Sequence, residues 1–397
     1  MPRTKTSATF PSAPRVAVLV DTSTTWGRQI IAGIHNYSRK HGEWHLFLEA
    51  RGLHEVMMLP RGWKGEGVIA RVNTPALARS LRRLHLPVVN VSAVLLKEPE
   101  LPRVANDVEA VALLAADYFL QRGFRNFAYL NLRGLEYVVR QRDAFVKALA
   151  AAGFSCSTYS IQTDAGFQSP HWNYKMDRLS AWLKSLPKPV AILTWSGGRE
   201  VIHACQHAGL RVPEEIALLN GADDELLCEC SPIPVSGVQS AGKEIGYRAA
   251  SMLDGLMKKK NGNRNRPSPP ILVPPVGVVT RQSTETMAIS DKTLVSAVSY
   301  IRSHIARPFQ VSDVAAHAGV SRRVLERRFL ETFNLSPAAH IGKARLDRVK
   351  SFLVDTDLSI NDIASQCGFC SPEYMTSVFR KELRITPLRY RRNVRGR

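Results

Sequence analysis

The sequence predicts a two-lobed α/β region, with parallel sheets flanked by helices, followed by a smaller all-helical domain. Three observations predict this fold class. Short β-branched runs alternate with helical periodicity over the first 290 residues, and this rhythm restarts once near residue 108. Beyond Asp291 the apolar spacing becomes almost entirely helical. Alternating strands and helices form parallel sheets through crossover connections, whereas helical spacing alone predicts a bundle.

The first lobe opens with a β-branched strand at 15–20, followed by the polar segment 21–25. Apolar residues at helical spacing then cover 27–39. Further strand signals stand at 67–70 and 87–91, with a helical stretch between them. Because open α/β sheets bind ligands at the carboxyl ends of their strands, the segment after the first strand is a candidate binding site.

The second lobe repeats the pattern. Glycines at 123, 153 and 209 end three of its helices, as expected from the left-handed conformation that glycine allows. Predicted helices cover 108–122, 141–152, 179–186, 200–208 and 242–257, and predicted strands cover 127–130, 190–194 and 216–219. The segments 271–273 and 276–279 are predicted to form a last strand that returns to the lobes. Two similar halves of this kind predict a cleft at the strand ends.

Four segments follow from this pattern. We predict that residues 1–14 form a disordered basic tail and that 15–284 form the two-lobed domain. Residues 285–290 are predicted to be a linker, and 291–397 the helical domain. The tail lacks the apolar core of a secretory signal.

Composition narrows the class of partner. The chain carries 54 Lys and Arg against 34 Asp and Glu, a formal net charge of +20. Residues 291–397 alone contain 19 basic and 10 acidic side chains, a net charge of +9. A basic surplus concentrated in one small domain favours contact with nucleic acid there rather than with a membrane.

Several other classes are not supported. No apolar run reaches 18 residues, so we expect no membrane-spanning helix and a cytoplasmic protein. The six cysteines lack the spacing of a disulfide framework or a structural zinc site, so we expect reduced thiols, no metal and no cofactor. The sequence also has no phosphate-binding loop and no nucleophile elbow, so we do not expect an enzyme.

The helical domain contains an internal repeat. Residues 311–319 (VSDVAAHAG) are echoed by 360–368 (INDIASQCG), with apolar residues at the first, fourth and fifth positions and a closing glycine. Ser321 and Ser371 are natural N-caps for a second helix in each copy. Helix, glycine-containing turn and helix make a helix-turn-helix unit, and we predict two, at about 311–330 and 360–381.

The second helix of such a unit enters the major groove, and its outward residues contact DNA. Arginine suits guanine, glutamate accepts a hydrogen bond from cytosine, and Thr or Ser hydroxyls hold phosphates. We expect an inward stripe of Val324, Leu325 and Phe329 in the first unit, and of Tyr374, Met375, Val378 and Phe379 in the second. The predicted DNA-binding residues are Arg322, Arg323, Glu326, Arg327, Glu373, Thr376, Ser377 and Arg380.

These motifs carry a family resemblance. The stretch 360–369, then Phe379-Arg-Lys and Thr386-Pro-Leu-Arg-Tyr-Arg, resembles the AraC/XylS family of transcription regulators. The segments 105–108, 209–215 and 242–250 resemble the sensor of LacI-type regulators, which has a periplasmic-binding-like fold. A LacI-like sensor in front of an AraC-type double helix-turn-helix domain is the arrangement of the xylose-operon regulators.

The resemblance implies a sugar effector held by polar and aromatic side chains. On it we expect Asp21, Thr25, Trp26, Arg142, Trp195 and Asp223 to be effector-binding residues. In such sensors an Arg precedes a small–aromatic pair by three residues. Here Gln141 takes that place before Ala144-Phe145, with Arg142 beside it. The positions after the strands ending near Thr194 and Leu219 carry Trp195 and Ala222 where an Asp is usual.

We therefore expect a sequence-specific DNA-binding transcription regulator that responds to a sugar such as xylose. The resemblance further implies operator DNA, a pentose effector and a second copy in a homodimer as partners, with RNA polymerase added if the protein is an activator. Two alternatives remain open: an effector-independent DNA-binding protein with a degenerate sugar-binding cleft, and a carbohydrate-acting enzyme with a DNA-binding tail.

Overall fold

The computed structural model describes residues 13–395 apart from 54, 56, 61, 97–100, 133–134, 162–171, 259–268 and 287–290. The predicted tail 1–14 therefore lies almost wholly outside the described residues, and so does most of the predicted linker 285–290. The chain divides into two compact units. The first holds the residues up to Ala105 together with Gly242–Val273, and the second holds Asn106–Ala241 together with Pro274–Arg395.

The first compact unit contains a four-stranded, all-parallel sheet in the order β2-β1-β3-β4. Its strands are β1 (Arg15–Leu19), β2 (His45–Leu48), β3 (Gly67–Ala70) and β4 (Val88–Asn90), and its helices are α1 (Thr25–His41), α2 (Pro75–Arg82) and α8 (Gly242–Lys258). A pair of short strands, β5 (Val104–Asn106) and β11 (Ile271–Val273), lies beside it. Val68, Ala70 and Leu81 belong to its buried core.

Two glycines let α1 and α8 cross closely. A Cβ on Gly33 would lie 2.1 Å from the carbonyl oxygen of Lys243, and one on Gly246 would lie 2.0 Å from that of Ile30. Both distances are far shorter than carbon and oxygen tolerate without displacement of the backbone. Glycine is therefore required at this crossing, which joins segments more than 200 residues apart in sequence.

The second compact unit begins with a six-stranded sheet in the order β12-β10-β9-β8-β6-β7. Neighbouring strands are parallel except for β12, which runs antiparallel to β10 at the edge. The strands are β6 (Asn126–Leu132), β7 (Cys156–Ile161), β8 (Val190–Thr194), β9 (Ile216–Asn220), β10 (Ser236–Gln239) and β12 (Gly277–Val279); the helices around them are α3 (Val108–Leu120), α4 (Glu136–Ala151), α5 (Trp172–Ser185), α6 (Gly198–Ala208) and α7 (Glu225–Glu229). We call this sheet and its helices the second lobe.

The same unit continues into the helical domain. Its helices are α9 (Lys292–His304), α10 (Val311–His317), α11 (Arg322–Phe333), α12 (Pro337–Asp355), α13 (Ile360–Gln366), α14 (Pro372–Leu383) and α15 (Pro387–Arg395). They form two separate cores, one around Phe329 and one around Phe379, and both rings are fully buried. The long helix α12 contributes to both cores, through Ile341 and Leu346.

The predicted fold class is confirmed: parallel sheets with flanking helices, then a helical domain with two helix-turn-helix units. The sequence reasoning missed the strands β2, β5, β7 and β10. Strands β2 and β7 are partly exposed edge strands, β2 with only four residues and β7 with a polar sequence; β5 has only three residues, and β10 is interrupted by Gly237. Within the described residues, no helix combines the length and apolar character needed to cross a bilayer.

Candidate functional site

The first helix-turn-helix is built by α10, a short turn and α11. Gly319 closes α10 with a φ of +68°, a left-handed conformation that favours glycine. The Ser321 hydroxyl then accepts a hydrogen bond from the backbone N–H of Val324 and caps α11. Leu325 and Phe329 bury the inner face of α11, and Val324 lies half-buried beside them. The opposite face of the helix therefore points into solvent.

The second helix-turn-helix repeats this construction with α13 and α14. Gly368 has a φ of +70°, and a Cβ there would also lie 2.6 Å from the carbonyl oxygen of Ile305. Ser371 caps α14 by accepting from the N–H of Tyr374 at 3.1 Å, and Pro372 occupies the first turn. The sequence repeat thus produces two recognition helices with equivalent caps and equivalent inner faces.

The recognition helix α11 presents a basic surface. Arg322 is exposed and forms an ion pair with Glu326 at 2.8 Å, one turn along the helix. Arg327 faces Glu331 at 3.8 Å. Arg323 is exposed and has no ion-pair partner among the described residues. The four residues predicted to bind DNA here are therefore on accessible parts of one helix, and their role stays a prediction.

One further arginine of α11 has a structural role. The Arg328 guanidinium donates to both carboxylate oxygens of Asp291, at 3.0 and 2.9 Å. Asp291 is itself the N-cap of α9, where it accepts from Thr293. Arg328 thus fastens the recognition helix to α9 and is not available for a base.

An open groove runs along the outer face of α14. Its lining includes all four residues predicted to bind DNA in the second helix-turn-helix, together with four that sequence reasoning missed. The lining is Pro372, Glu373, Thr376, Ser377, Arg380, Lys381, Arg384 and Thr386. Lys381 and Arg384 could have been found from their spacing, because they follow Ser377 and Arg380 at one helical turn.

Glu373 and Tyr374 refine the sequence prediction. The backbone N–H of Glu373 and the Ser371 hydroxyl hold the pKa of the Glu373 carboxyl below its usual value, so this carboxylate is ionised and acts as an acceptor. The assignment of Tyr374 to the buried stripe is wrong. Its side chain is 55% exposed and lies beside the ring of Phe369, whereas Met375 and Phe379, four residues apart on α14, form the buried face.

In the first compact unit, the predicted effector residues Asp21 and Trp26 stand together at the carboxyl end of β1. Asp21 is completely buried and pairs with Arg71 at 3.2 Å. The Arg71 guanidinium also lies over the Trp26 ring, 5.5 Å from its centre. The Nε1 of Trp26 is buried without a hydrogen-bond partner. Sequence reasoning missed Arg71, although it directly follows the buried strand β3.

Thr25 lies in the first turn of α1, and its hydroxyl accepts a hydrogen bond from Arg28 at 3.2 Å. The cap of α1 is supplied by Thr24, whose hydroxyl accepts from Gly27 at 3.0 Å and donates to Asp21 at 2.5 Å. Asp21 therefore orients both the helix start and the Arg71 guanidinium. This cluster offers a buried indole donor and a guanidinium face to a polar ligand.

In the second lobe, Gln141 is a polar residue on the buried face of α4. Its side chain is fully buried, and its Oε1 accepts from the Tyr129 hydroxyl at 2.7 Å. Its Nε2 has no hydrogen-bond partner and lies against Gly221, directly after β9. Arg142 instead bonds its neighbour Asp143 at 2.7 Å. The second lobe thus directs a neutral amide, rather than a charge, toward its strand ends.

The remaining two predicted effector residues differ in their surroundings. Trp195 follows β8 and packs edge-on against the Tyr137 ring, with 5.0 Å between ring centres. Asp223 is nearly buried and forms an ion pair with Arg281 at 2.7 Å. Its carboxylate already has a strong partner, whereas Asn131 and Asn220 each bury an amide oxygen without one. The effector assignments of Arg142, Trp195 and Asp223 stay predictions.

Comparison with known proteins shows what both the sensor and the helix-turn-helix domain are similar to. Residues 15–109 match the XylR N-terminal domain, 116–284 a periplasmic binding protein-like domain, and 314–393 a helix-turn-helix domain. The xylose operon regulatory proteins of Escherichia coli K12 and Haemophilus influenzae are each 29% identical to this chain, cover 96% of it and match over 98% of their own length. A solved structure described as the xylose-binding transcription activator XylR shares 29% identity, covers 96% of this chain and 98% of its own, and has a TM-score of 0.61.

These relatives are transcription regulators, and the similarity extends through both the sensor and the helix-turn-helix domain. The chain is accordingly a DNA-binding regulator and not an enzyme. The chain is thus similar, over nearly its whole length, to regulators of the AraC/XylS type that carry a XylR-like sensor ahead of a helix-turn-helix domain.

Proposed function

We propose that this regulator responds to a sugar, and that the sugar is a pentose such as D-xylose. The observation that carries the proposal is the similarity to xylose operon regulatory proteins over 96% of the chain. The orphaned donors Trp26 Nε1 and Gln141 Nε2 support it, because a buried polar atom without a partner favours a hydroxyl ligand that supplies one.

The two recognition helices supply different chemistry to DNA. We infer that Arg322, Arg323 and Arg327 of α11 act as donors, to guanine edges or phosphates. Glu373 of α14 acts as an acceptor for cytosine, while Thr376, Ser377 and Arg380 hold the backbone. Glu326 orients Arg322 through the 2.8 Å ion pair. The operator is then read as two adjacent major-groove segments of unlike composition.

The wider setting is also part of the proposal. The protein acts in the cytoplasm, as a homodimer on operator DNA, and contacts RNA polymerase if it activates. A dimer doubles the recognition helices on one site and makes operator binding cooperative. A sugar can change operator affinity only if it binds two states of the protein with different affinity.

A second candidate is an effector-independent DNA-binding protein. Two observations favour it: Gln141 stands where a charged contact is usual, and the Asp223 carboxylate is engaged by Arg281. If both changes remove sugar contacts, the sensor fold is retained only for assembly.

Intrinsic tryptophan fluorescence of the full chain separates these candidates. Trp26 and Trp195 are the reporters, and D-xylose leads a panel of pentoses and hexoses. We expect a saturable change with D-xylose that is lost in Gln141→Leu and kept in Arg142→Ala, because only Gln141 turns inward. Saturation with a different sugar would keep the mechanism and change the ligand. No change with any sugar, together with no thermal shift, would refute the proposed sugar response.

A further inference from the structure

Within the second compact unit, the second lobe touches the end of the first recognition helix. Arg125 stands in the turn between α3 and β6. Its Nη2 donates to the backbone carbonyl oxygens of Glu331 and Thr332, both at 3.2 Å. These carbonyls belong to the last turn of α11, where main-chain oxygens lack partners within the helix. A cation from the sensor thus caps a helix of the DNA-binding domain.

The contact is specific to the first helix-turn-helix. Helices α11 and α14 end alike, at Asn334 and Arg384, both left-handed with φ near +52° and +59°. A helix carboxyl end carries partial negative charge and favours a nearby cation. In the part of the chain that the structure describes, no sensor side chain bonds the last carbonyls of α14. Among the described residues, a sensor side chain therefore caps the end of α11 but not that of α14.

A second contact lies on the neighbouring helices. Asp117 of α3 forms an ion pair with Lys343 of α12 at 2.8 Å, and both side chains are partly exposed. Helix α12 follows α11 directly and packs in the same core through Ile341. Asp117, in α3, and Arg125, just after α3, thus both contact the region of the helical domain where α11 is followed by α12.

Like charges oppose these two contacts. Arg122 of the sensor lies between Asp117 and Arg125 in sequence. Burial and the charge of Arg302 in α9 lower the pKa of Arg122 to about 10, whereas the charge of Asp347 in α12 acts in the opposite direction. Burial and the charges of Arg302 and Arg122 lower the pKa of His340 in α12 to about 4, so His340 is neutral near pH 7. The positive charges of Arg122 and Arg302 thus act against each other beside these two contacts.

We propose that Asp117 and Arg125 form a clamp by which the second lobe positions the first recognition helix, and that this clamp passes the effector signal to DNA. The second part rests on the proposed sugar response. Both residues are positioning residues, since neither belongs to the predicted DNA or effector contacts. The partner of the clamp is the α11–α12 corner of the same chain.

The test uses the full chain and an operator duplex selected from random DNA with the wild-type protein. Operator affinity is measured by fluorescence anisotropy with and without saturating D-xylose, and sugar affinity by tryptophan fluorescence. In Arg125→Ala we expect operator affinity to be about fivefold weaker or more. The ratio of operator affinities with and without D-xylose should be closer to one, and the sugar affinity should be unchanged. Arg211→Ala is the matched control, because this exposed arginine of the same lobe pairs with Glu215 of its own lobe.

Charge exchange separates positioning from loss of folding. Asp117→Lys should weaken operator binding, and the double variant Asp117→Lys with Lys343→Asp should restore it. The clamp would be overturned if Arg125→Ala kept the wild-type operator affinity and the wild-type response to D-xylose. It would also be overturned if the double variant bound the operator as weakly as Asp117→Lys alone. If D-xylose leaves the wild-type protein unchanged, the sugar response fails, while operator affinity without sugar still decides whether the clamp positions α11.

Discussion

Replacing Arg323 by alanine tests the most accessible base contact of the first recognition helix. Arg323 is exposed and has no ion-pair partner among the described residues, so none of these residues competes with DNA for its guanidinium. Arg322, in contrast, must leave Glu326 before it can bind a base. DNA binding by Arg322 therefore requires an ion pair to be broken, whereas binding by Arg323 does not.

The expected magnitudes follow from this difference. A bidentate arginine–guanine contact contributes about 1–3 kcal/mol, so Arg323→Ala should weaken operator binding by about 5–150-fold. An exposed pair one turn apart in a helix contributes about 0.3–0.5 kcal/mol. Arg322→Ala should therefore cost less than Arg323→Ala by about that amount if both contact guanine. Neither variant should change the free energy of unfolding by more than about 0.5 kcal/mol.

Fluorescence anisotropy with the selected operator and with single-base variants at several salt concentrations measures this effect. Lys184→Ala is the control, since it removes one exposed positive charge from α5 of the second lobe. A base contact predicts lost discrimination at one position. A phosphate contact predicts a salt slope smaller by about 0.9 with the base preference intact. Equal operator affinity of Arg323→Ala and Lys184→Ala would refute the assignment of Arg323.

Three further predictions concern stability. Gly246→Ala should destabilise the first compact unit by about 1–3 kcal/mol or more, because the added Cβ would lie 2.0 Å from a carbonyl oxygen. Gly255→Ala on the same helix has open space around the new Cβ and should be neutral or slightly stabilising. Equal denaturation midpoints of the two variants would contradict this prediction. Phe379→Ala should cost about 3–5 kcal/mol in the second helical core, while Tyr374→Ala should stay within about 0.5 kcal/mol, and a thermal melt of each decides. In the folded protein the pKa of His340 is lowered to about 4, so as pH falls below about 6.5 the unfolded chain takes up a proton first. The free energy of unfolding should therefore fall by about 2 kcal/mol between pH 7 and 5, and this loss should be absent in His340→Leu. An identical pH profile of the two proteins would show that His340 is not the group responsible.

The helix-turn-helix repeat was predictable from sequence because its determinants are local. A glycine in the left-handed conformation, a serine cap two or three residues later and apolar residues at helical spacing all lie within one 20-residue segment. The same local rules located most of the strands and helices of the sensor. The burial of Tyr374 was predicted wrongly because helical spacing alone does not show which residues in the first turn of α14 reach the core.

The effector residues were harder to predict because their surroundings come from distant segments. Asp21 meets Arg71, 50 residues away, and Asp223 meets Arg281, 58 residues away. Sequence spacing suggested that Arg142 could replace the missing charge at Gln141. The direction in which each side chain of α4 points depends on how the helix packs on β6, through Tyr129. That packing is a property of the folded lobe and not of the local sequence.

The central property proposed for this regulator is that a sugar changes its affinity for DNA. The decisive measurement is operator affinity of the full chain, by fluorescence anisotropy, with and without saturating D-xylose. Typical coupling free energies of about 1–3 kcal/mol predict a change of about 5–150-fold, which should disappear in Gln141→Leu while affinity without sugar remains. Identical operator affinity with D-xylose and with every other sugar of the panel would contradict the account and leave a DNA-binding protein without a sugar effector.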